Sequence, residues 1–489
     1  MSTPAPSQAA PDAASRPLVV DLDGTLIKSD LTVETIGQYL SRRPWGFFAL
    51  LGWMLRGRPY LKSRLAEFTS ADAPSLPYHE PLIEWLRSEK AAGRKLILAT
   101  ASHQSLADEV ARHVDLFDEA LGTAGDRNLK ASVKRDELVR RFGPQGFDYA
   151  GNSSADLAVW AAAAQAHVVS RSPRLIARAR ELAPGGRVFD PGRPPAWVAL
   201  WAALRPYQWI KNVLIFVPML GAHAFLNAQG VARAALAFVA FGLVASSAYV
   251  LNDLVDIGAD RHHPKKRNRP FAAGDLDLRG GWMLWPALAA AALGLGLWAL
   301  PARFVGVMGI YYALTLAYSI RLKRIVVLDV ITLAGLYTLR IIAGGVALGI
   351  PLSFWLLAFS MFLFVSLALI KRFSEMVSAP GGEAAARIPG RGYRGSDTEL
   401  VSSLGAAAGY IAVLVLALYI QDPQTARMYT SPRIIWLACP LLMFWISRAW
   451  LVAHRREMHD DPIVFALKDR VSWLVAALLV TVFALAKIL

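Results

Sequence analysis

Residues Asn252 to Pro270 read N-D-L-V-D-I-G-A-D-R-H-H-P-K-K-R-N-R-P and follow directly on an apolar run, Ala234 to Leu251. If the helix continues for two turns past Leu251, Asp253, Asp256 and Asp260 are spaced i, i+3, i+7 and share one narrow face. Such a row can hold Mg2+, which takes few protein carboxylates and completes its octahedron with water and phosphate oxygens. With Lys266 and Arg269 close behind, the stretch suits a diphosphate. The competing reading is a solvated helix end whose acids and bases neutralise one another. A second acid pair, Asp21 and Asp23, closes the short apolar run Leu18-Val19-Val20 and runs into Gly24-Thr25. There the first carboxylate can attack phosphorus, and the second, two residues on and so on the same side, can donate and then accept a proton. Acids and glycine after a strand also make ordinary turns.

A third set lies inside apolar sequence. Asp329 and Arg340 are eleven residues apart, three helical turns, and so share a face. An ionisable residue within a span is costly unless it meets a cavity or a partner, which makes both of them site candidates, with an interhelical ion pair as the alternative. Tyr318 to Lys323 precedes them, with Lys323 a candidate for substrate binding. Lys211 and Asn212 can meet a phosphate, or Lys211 can merely snorkel to the interface.

Two kinds of element must position these groups. With 489 residues, 55% hydrophobic and 18% charged, the chain is too apolar for an ordinary soluble enzyme and too long for one domain. Residues 1–16 form an Ala/Pro/Ser tail without the apolar core of a signal peptide. Residues 17–182 alternate short apolar strands with helices, as a doubly wound α/β domain does, with a helical cap at about 30–85. Within the cap, W-G-F-F-A-L-L-G-W-M-L (Trp45 to Leu55) is too short to cross a bilayer and reads as an interfacial helix or a buried cap helix. A Pro/Gly-rich linker occupies 183–196, and 197–489 forms an all-α membrane domain. Nine spans can be drawn there, near 203–223, 231–251, 282–300, 303–320, 327–349, 353–370, 401–420, 434–452 and 471–488. Loops on the side of Asp253 carry about eighteen Lys and Arg against about four opposite, so the acid row and the α/β domain are expected to share the cytoplasm.

The formal charge of +15 comes without zinc-ligand spacing or an aromatic-interleaved basic stripe, so nucleic acid is not an expected partner. Cys439 is the only cysteine, which excludes an internal disulfide.

The Asn252–Pro270 stretch resembles the first aspartate-rich motif, NDxxDxxxD followed by PxKxxRP, of the UbiA family of intramembrane prenyltransferases, and the resemblance spans about 197–489. It is most similar to the branch that makes polyprenyl-phospho-phosphoribose, where His263-Pro264, Lys266 and Arg269-Pro270 match, as do Arg205-Pro206, Trp209, Lys211 and Asn212. Aromatic-prenylating members usually carry a second DxxxD. Here Asp329 is followed by Leu333, the single-acid form. Residues 17–182 resemble the haloacid-dehalogenase (HAD) phosphatase superfamily through Asp21-Leu22-Asp23-Gly24-Thr25, Thr100, Lys134 and Gly151 to Asp156. That resemblance implies Asp21 as nucleophile, Asp23 as acid/base, Thr100 and Lys134 as phosphate clamps, and Mg2+ among Asp21, the Asp23 carbonyl and Asn152, with Asp156 beside it. Asn152 stands where Asp is usual.

Together the resemblances imply a bifunctional Mg2+-dependent enzyme of the bacterial inner membrane. Asn252, Asp253, Asp256 and Asp260 would bind 5-phosphoribosyl 1-diphosphate, with Lys266 and Arg269 on the leaving diphosphate. A polyprenyl phosphate met by Lys211 or Arg340 would attack the sugar. The HAD-like domain would then remove the 5-phosphate, leaving polyprenyl-phospho-ribose, a precursor of arabinofuranose in envelope glycans. Partners would be these two substrates and membrane lipids, with homo-oligomerisation left open. The alternatives are a UbiA-type prenyltransferase acting on an aromatic acceptor, and a lipid-binding assembly protein with two vestigial sites.

Overall fold

The computed structural model describes residues 16–124, 128–378, 392–421, 429–458 and 461–489. The expected tail, apart from Arg16, falls outside this set. The chain divides into two compact units, Met1–Arg205 with Tyr249–Pro286, and Pro206–Ala248 with Ala287–Leu489.

Among its described residues the first unit has six strands: β1 (Leu18–Val20), β2 (Leu96–His103), β3 (Glu119–Thr123), β4 (Asp148–Gly151), β5 (Ala166–Val169) and β6 (Val188–Phe189). They form one parallel sheet in the order β3-β2-β1-β4-β5-β6. Helices cover both faces, so the central strands are buried at every position instead of at alternate ones. Leu18, Val20, Leu96 and Leu98 enter one core, while Val19, Ile97, Ala99 and Tyr149 enter the other. The strand order reverses between β1 and β4, the kind of crevice where open α/β sheets bind ligands. The stretch read as a linker contains β6, which extends the sheet past residue 182.

Between β1 and β2 the chain forms the cap helices Leu31–Arg42, Phe47–Leu55 and Arg58–Phe68. Asp30 starts the first by accepting a bond from Val33 N at 3.1 Å. Tyr39, Leu50, Leu61 and Leu65, with Trp53 and Phe68, form their shared core.

Among the described residues eight helices are long and apolar enough to cross a membrane: Ala228–Val255, Leu278–Ala299, Ala302–Ile320, Leu328–Leu348, Phe354–Val377, Gly395–Gln421, Pro432–His454 and Arg470–Ile488. The expectation of nine α-helical spans is corrected at the first of them. Pro206–Phe216 is an eleven-residue 3₁₀ helix, followed by the short α-helix Val217–Gly221. Arg205 adopts φ 51° just before it, and Pro218 opens the α-helical turn. Close packing holds the narrower form: a Cβ on Gly344 would stand 2.0 Å from the Ile215 carbonyl oxygen, and one on Gly242 would stand 2.5 Å from the Trp209 ring.

His167 on β5 is a buried core group. Its Nδ1 accepts from Arg187 N at 3.0 Å, and its ring centroid lies 4.6 Å from that of Trp85. Burial, helped by the Arg94 and Arg187 charges, pushes its pKa down to about 3. The unfolded chain therefore takes up a proton below the ordinary value of 6.5 that the folded chain refuses. Stability from this group is complete above that value and falls with pH down to about 3, by up to about 1.4 kcal/mol per pH unit. The unfolding midpoint of the detergent-solubilised wild type should drop more between pH 7 and pH 5 than that of His167→Gln. Equal drops would show that His167 does not control this window.

Candidate active sites in each unit

In the first unit, the ends of β1, β2 and β4 bring together the groups expected from sequence. Asp21 follows β1, and its Oδ1 accepts from Lys134 Nζ at 2.7 Å. Lys134 is fixed by the Ala99 carbonyl at 2.9 Å and the Tyr149 hydroxyl at 3.0 Å. Asp23 Oδ1 accepts from Leu31 N at 2.8 Å, at the start of the first cap helix. Its Oδ2 accepts from Ser102 Oγ at 3.0 Å and Thr100 Oγ1 at 3.3 Å. Burial raises the Asp21 carboxyl to about 6 against the pull of Lys134. Burial, then the Asp30 and Asp21 charges, raises Asp23 to about 7. Two neighbouring acids thus differ: one is ion-paired, and the other is able to carry a proton near neutrality.

Asn152 Oδ1 accepts from Thr25 Oγ1 at 3.3 Å, and a Cβ on Gly24 (φ +76°) would stand 2.2 Å from Asn152 Nδ2. Only glycine lets the two loops meet this closely. Asp156, expected beside the metal, is engaged with the loop itself. Its Oδ2 accepts from Asn152 N at 3.1 Å, Ser153 N at 2.9 Å and Ser153 Oγ at 3.0 Å, and its Oδ1 accepts from Tyr149 Oη at 2.9 Å.

Ser102 and Lys62 escaped the sequence reading. Ser102 is two residues past Thr100 on β2 and so on the same face, a signal hidden because the strand runs on to His103. Lys62 Nζ donates to the Ala101 carbonyl and, at 3.1 Å, to Asn128 Oδ1. Lys62 lines a cavity of about 680 Å³ with Asp21, Asp23, Lys134 and Asn152.

The aspartate-rich stretch belongs to the same unit. Asp253 ends the Ala228–Val255 helix, the helix breaks at Asp256, and Asp260 lies in Ile257–Arg261. Asp253 and Asp260 are each 2% exposed. Arg205 Nη2 donates to both Asp253 oxygens at 2.6 and 2.7 Å. Arg269 Nη1 reaches Asp253 Oδ1 at 3.1 Å and Asp260 Oδ2 at 2.6 Å. Burial pushes the Asp260 carboxyl up, partly offset by Arg269. Asn252, in the last turn of the Ala228–Val255 helix, and Asp256, at the break, are half-buried, and Lys266 is exposed. Arg205 was missed as a site residue because nothing local links it to an acid 48 positions away.

Among the described residues no three His, Cys, Asp or Glu side chains group to hold a metal by themselves. The donors at both places are nonetheless hard oxygens, as Mg2+ prefers: Asp21, the Asp23 carbonyl and Asn152 in one, Asp253 and Asp260 in the other.

In the second unit, Asp329 is fully buried and accepts from Arg372 Nε at 2.6 Å and Tyr393 Oη at 2.8 Å, while Arg372 also donates to Tyr318 Oη at 2.8 Å. Asp329 and Arg340 share the Leu328–Leu348 helix but meet different partners. Arg340 donates to Asn212 Oδ1 at 2.9 Å, Tyr311 Oη at 2.8 Å and the Leu336 carbonyl at 2.6 Å. Asn212 is 1% exposed, and its Nδ2 meets no hydrogen-bond acceptor among the described residues. Lys211 and Lys371 both donate to Asp461 Oδ2, at 3.1 and 2.8 Å. Burial would raise the Asp461 carboxyl, but the two ammonium groups hold it well below the usual range. Lys323 lies on the turn Leu322–Arg324.

The model of the UbiA prenyltransferase family matches residues 213–468. An uncharacterised protein, y4nM, of Sinorhizobium fredii is 39% identical over 96% of this chain and 91% of its own length. The chain belongs to the UbiA prenyltransferase family. With eight apolar helices it is a multi-pass membrane protein and a UbiA-type transferase. The decaprenyl-phosphate phosphoribosyltransferase of Mycolicibacterium smegmatis is 35% identical over 55% of this chain and 86% of that protein. Among solved structures, a UbiA homologue from Archaeoglobus fulgidus bound to DMAPP and Mg2+ is 18% identical, with a TM-score of 0.45 over 59% of this chain and 99% of that one.

The Asp329–Arg372 pair is fully enclosed, and without Asp329 the buried Arg372 keeps only the partly exposed Glu375, at a cost of up to about 3–5 kcal/mol. Asp329→Ala should unfold at markedly lower temperature, read as reactivity of the buried thiol of Cys439. Asp329→Ala/Arg372→Met should recover much of the loss. A double variant no more stable than Asp329→Ala would show that the pair is not the source.

Proposed function

We propose that the membrane domain transfers 5-phosphoribose from 5-phosphoribosyl 1-diphosphate to a polyprenyl phosphate, and that the N-terminal domain is a HAD-type phosphatase that removes the sugar 5-phosphate. The observation that carries the first step is the buried Asp253–Asp260 pair answered by Arg205 and Arg269 at a membrane helix end. The phosphoribosyltransferase name of the mycobacterial relative supports the ribosyl donor.

Mg2+ held by Asp253 and Asp260, with Asp256 near, would neutralise the donor's diphosphate and the charge it gains on leaving. Arg205, Arg269 and Lys266 supply the remaining positive charge on the leaving group. A phosphate oxygen of the acceptor lipid attacks the anomeric carbon, forming the O–C1 bond as the C1–diphosphate bond breaks. That phosphate is already nucleophilic and needs no base. Arg340, bonded to neutral oxygens, and the unpartnered Asn212 amide are the groups we assign to it. At the second site Lys134 and Thr100 hold the 5-phosphate. Asp21 attacks phosphorus while Asp23 gives its proton to the departing sugar oxygen. Asp23 then takes a proton from the water that releases phosphate.

The aromatic-prenylating alternative needs a second acid near Asp329. Leu333 packs instead in the apolar core around Tyr337 and Phe364, and both Asp329 oxygens have partners. The cationic loops beside Asp253 support a cytoplasmic location for both sites at the bacterial inner membrane.

Purified protein incubated with Mg2+, labelled phosphoribosyl diphosphate and polyprenyl phosphate should move label into lipid. Asp253→Asn should reduce this about 10²–10³-fold, and chelation of Mg2+ should abolish it. Asp21→Asn should leave transfer intact and accumulate a more highly charged lipid. No labelled lipid from folded protein across a range of lipid lengths would refute the ribosyl reading.

A further inference from the structure

We propose that the Pro44–Leu55 segment lies in the surface of the bilayer, and that the N-terminal cavity takes its phosphorylated substrate from that surface as a lipid-linked molecule. The substrate half rests on the reading of Asp21 and Asp23 as a phosphomonoester-cleaving pair. The segment presents its apolar side chains outward: Trp45 is 86% exposed, Leu55 84% and Phe48 70%, and Phe47, Leu51 and Met54 are each more than half exposed. Only Leu50 of the Phe47–Leu55 helix is buried. At about 14 Å long the helix cannot cross a hydrocarbon core of about 30 Å, but it can lie within the interface. Exposed Arg42 and Arg43 precede it and exposed Arg56 and Arg58 follow it, so both ends match anionic headgroups.

Its neighbour fixes its level. On the Leu31–Arg42 helix, the N-cap Asp30, Glu34 and Gly37 stand i, i+4, i+7 along one face. Asp30 pairs with Arg279, at the start of the Leu278–Ala299 span. Glu34 is gripped by two guanidinium bonds from Arg261, at 2.7 and 2.8 Å. A Cβ on Gly37 would stand 3.0 Å from the carbonyl oxygen of Leu254, the penultimate residue of the Ala228–Val255 span. This helix therefore rests on the polar ends of two membrane helices. The apolar helix packs on it through Tyr39 and Trp53, with ring centroids 5.2 Å apart.

The same segment opens into the site. Met54, Ile36 and Leu61 give the 680 Å³ cavity an apolar side, while Arg58, Lys62 and Arg279 give it cations on the way to Asp21 and Asp23. An apolar side continuous with a membrane-facing helix, leading to cations and an acid pair, fits an amphiphile with an anionic sugar head. A soluble sugar phosphate would use only the charged part.

The test uses the full chain in nanodiscs of phosphatidylethanolamine and phosphatidylglycerol. With Cys439→Ser in both, an environment-sensitive fluorophore is placed at Leu51→Cys or, as a control, at Arg135→Cys. Nitroxide-bearing lipid should quench the first and spare the second. Equal quenching, or none at Leu51, would overturn the docking, as would protection of the Leu51 probe that grows with protein concentration in detergent, which would assign the face to a second copy. For the substrate, Phe48→Ser/Leu51→Ser should lower kcat/KM for lipid-linked phosphoribose about tenfold through KM, and leave p-nitrophenyl phosphate hydrolysis within about twofold. Equal loss on both substrates, or no loss on the lipid, would overturn it. Wild-type protein that cleaves the soluble ester but not the lipid would overturn this inference and leave the phosphatase reading standing. Wild-type protein that cleaves neither would overturn the phosphatase reading itself.

Discussion

Two buried carboxylates at the mouth of a membrane-spanning helix repel each other, and the guanidinium groups of Arg269 and Arg205 answer that repulsion. Charges at such spacing interact by several kcal/mol in a protein-like medium, so the acids cannot stay ionised without a cation between them. Much of the local architecture follows. The chain must turn back after Asp260 so that Arg269 returns to the helix end, and Arg205 must leave its own helix in a left-handed conformation to reach Asp253. Arg261, one residue past Asp260, faces the other way and takes Glu34. The loop is thus held from both sides by ion pairs. The cation between Asp253 and Asp260 is the guanidinium of Arg269.

The second unit obeys the same rule with different consequences. Asp329, in a span, has one oxygen on Arg372 and the other on Tyr393, so its buried charge is answered. Arg340 is bonded to three neutral oxygens instead of a carboxylate. Lys211 shares Asp461 with Lys371, so it is neither a snorkelling lysine nor an unencumbered phosphate ligand. Which acid meets which base decides function here, more than which residues are ionisable.

That distinction marks the limit of what the amino-acid order reveals. β1 and its two acids are legible because an apolar run followed by D-x-D-G-T is a local pattern, and Lys134 and Thr100 are legible at their own strand and helix ends. The partners of Asp253 and Asp461 are not legible. Arg205 lies 48 residues from Asp253, and Lys211 lies 250 from Asp461, distances at which periodicity carries no information. Hydropathy found the stretch 203–223 but could not distinguish an α-helix from the 3₁₀ form, because that choice rests on Gly242 and Gly344 in helices far along the chain. β6 is two residues long in a Pro/Gly-rich stretch, too short to show a period.

The first unit is discontinuous: its fold uses Tyr249–Pro286 as well as everything up to Arg205. During synthesis at about 5–20 residues per second, the α/β sheet emerges several seconds before Arg261 and Arg279 exist to pin its cap. In that interval the nascent domain has its strands and its acid pair, while Asp30 and Glu34 wait for arginines 249 and 227 positions downstream. The Ala228–Val255 helix is therefore synthesised before the bonds that pin the cap can form. Completion of the first unit is thereby tied to the synthesis of a membrane helix.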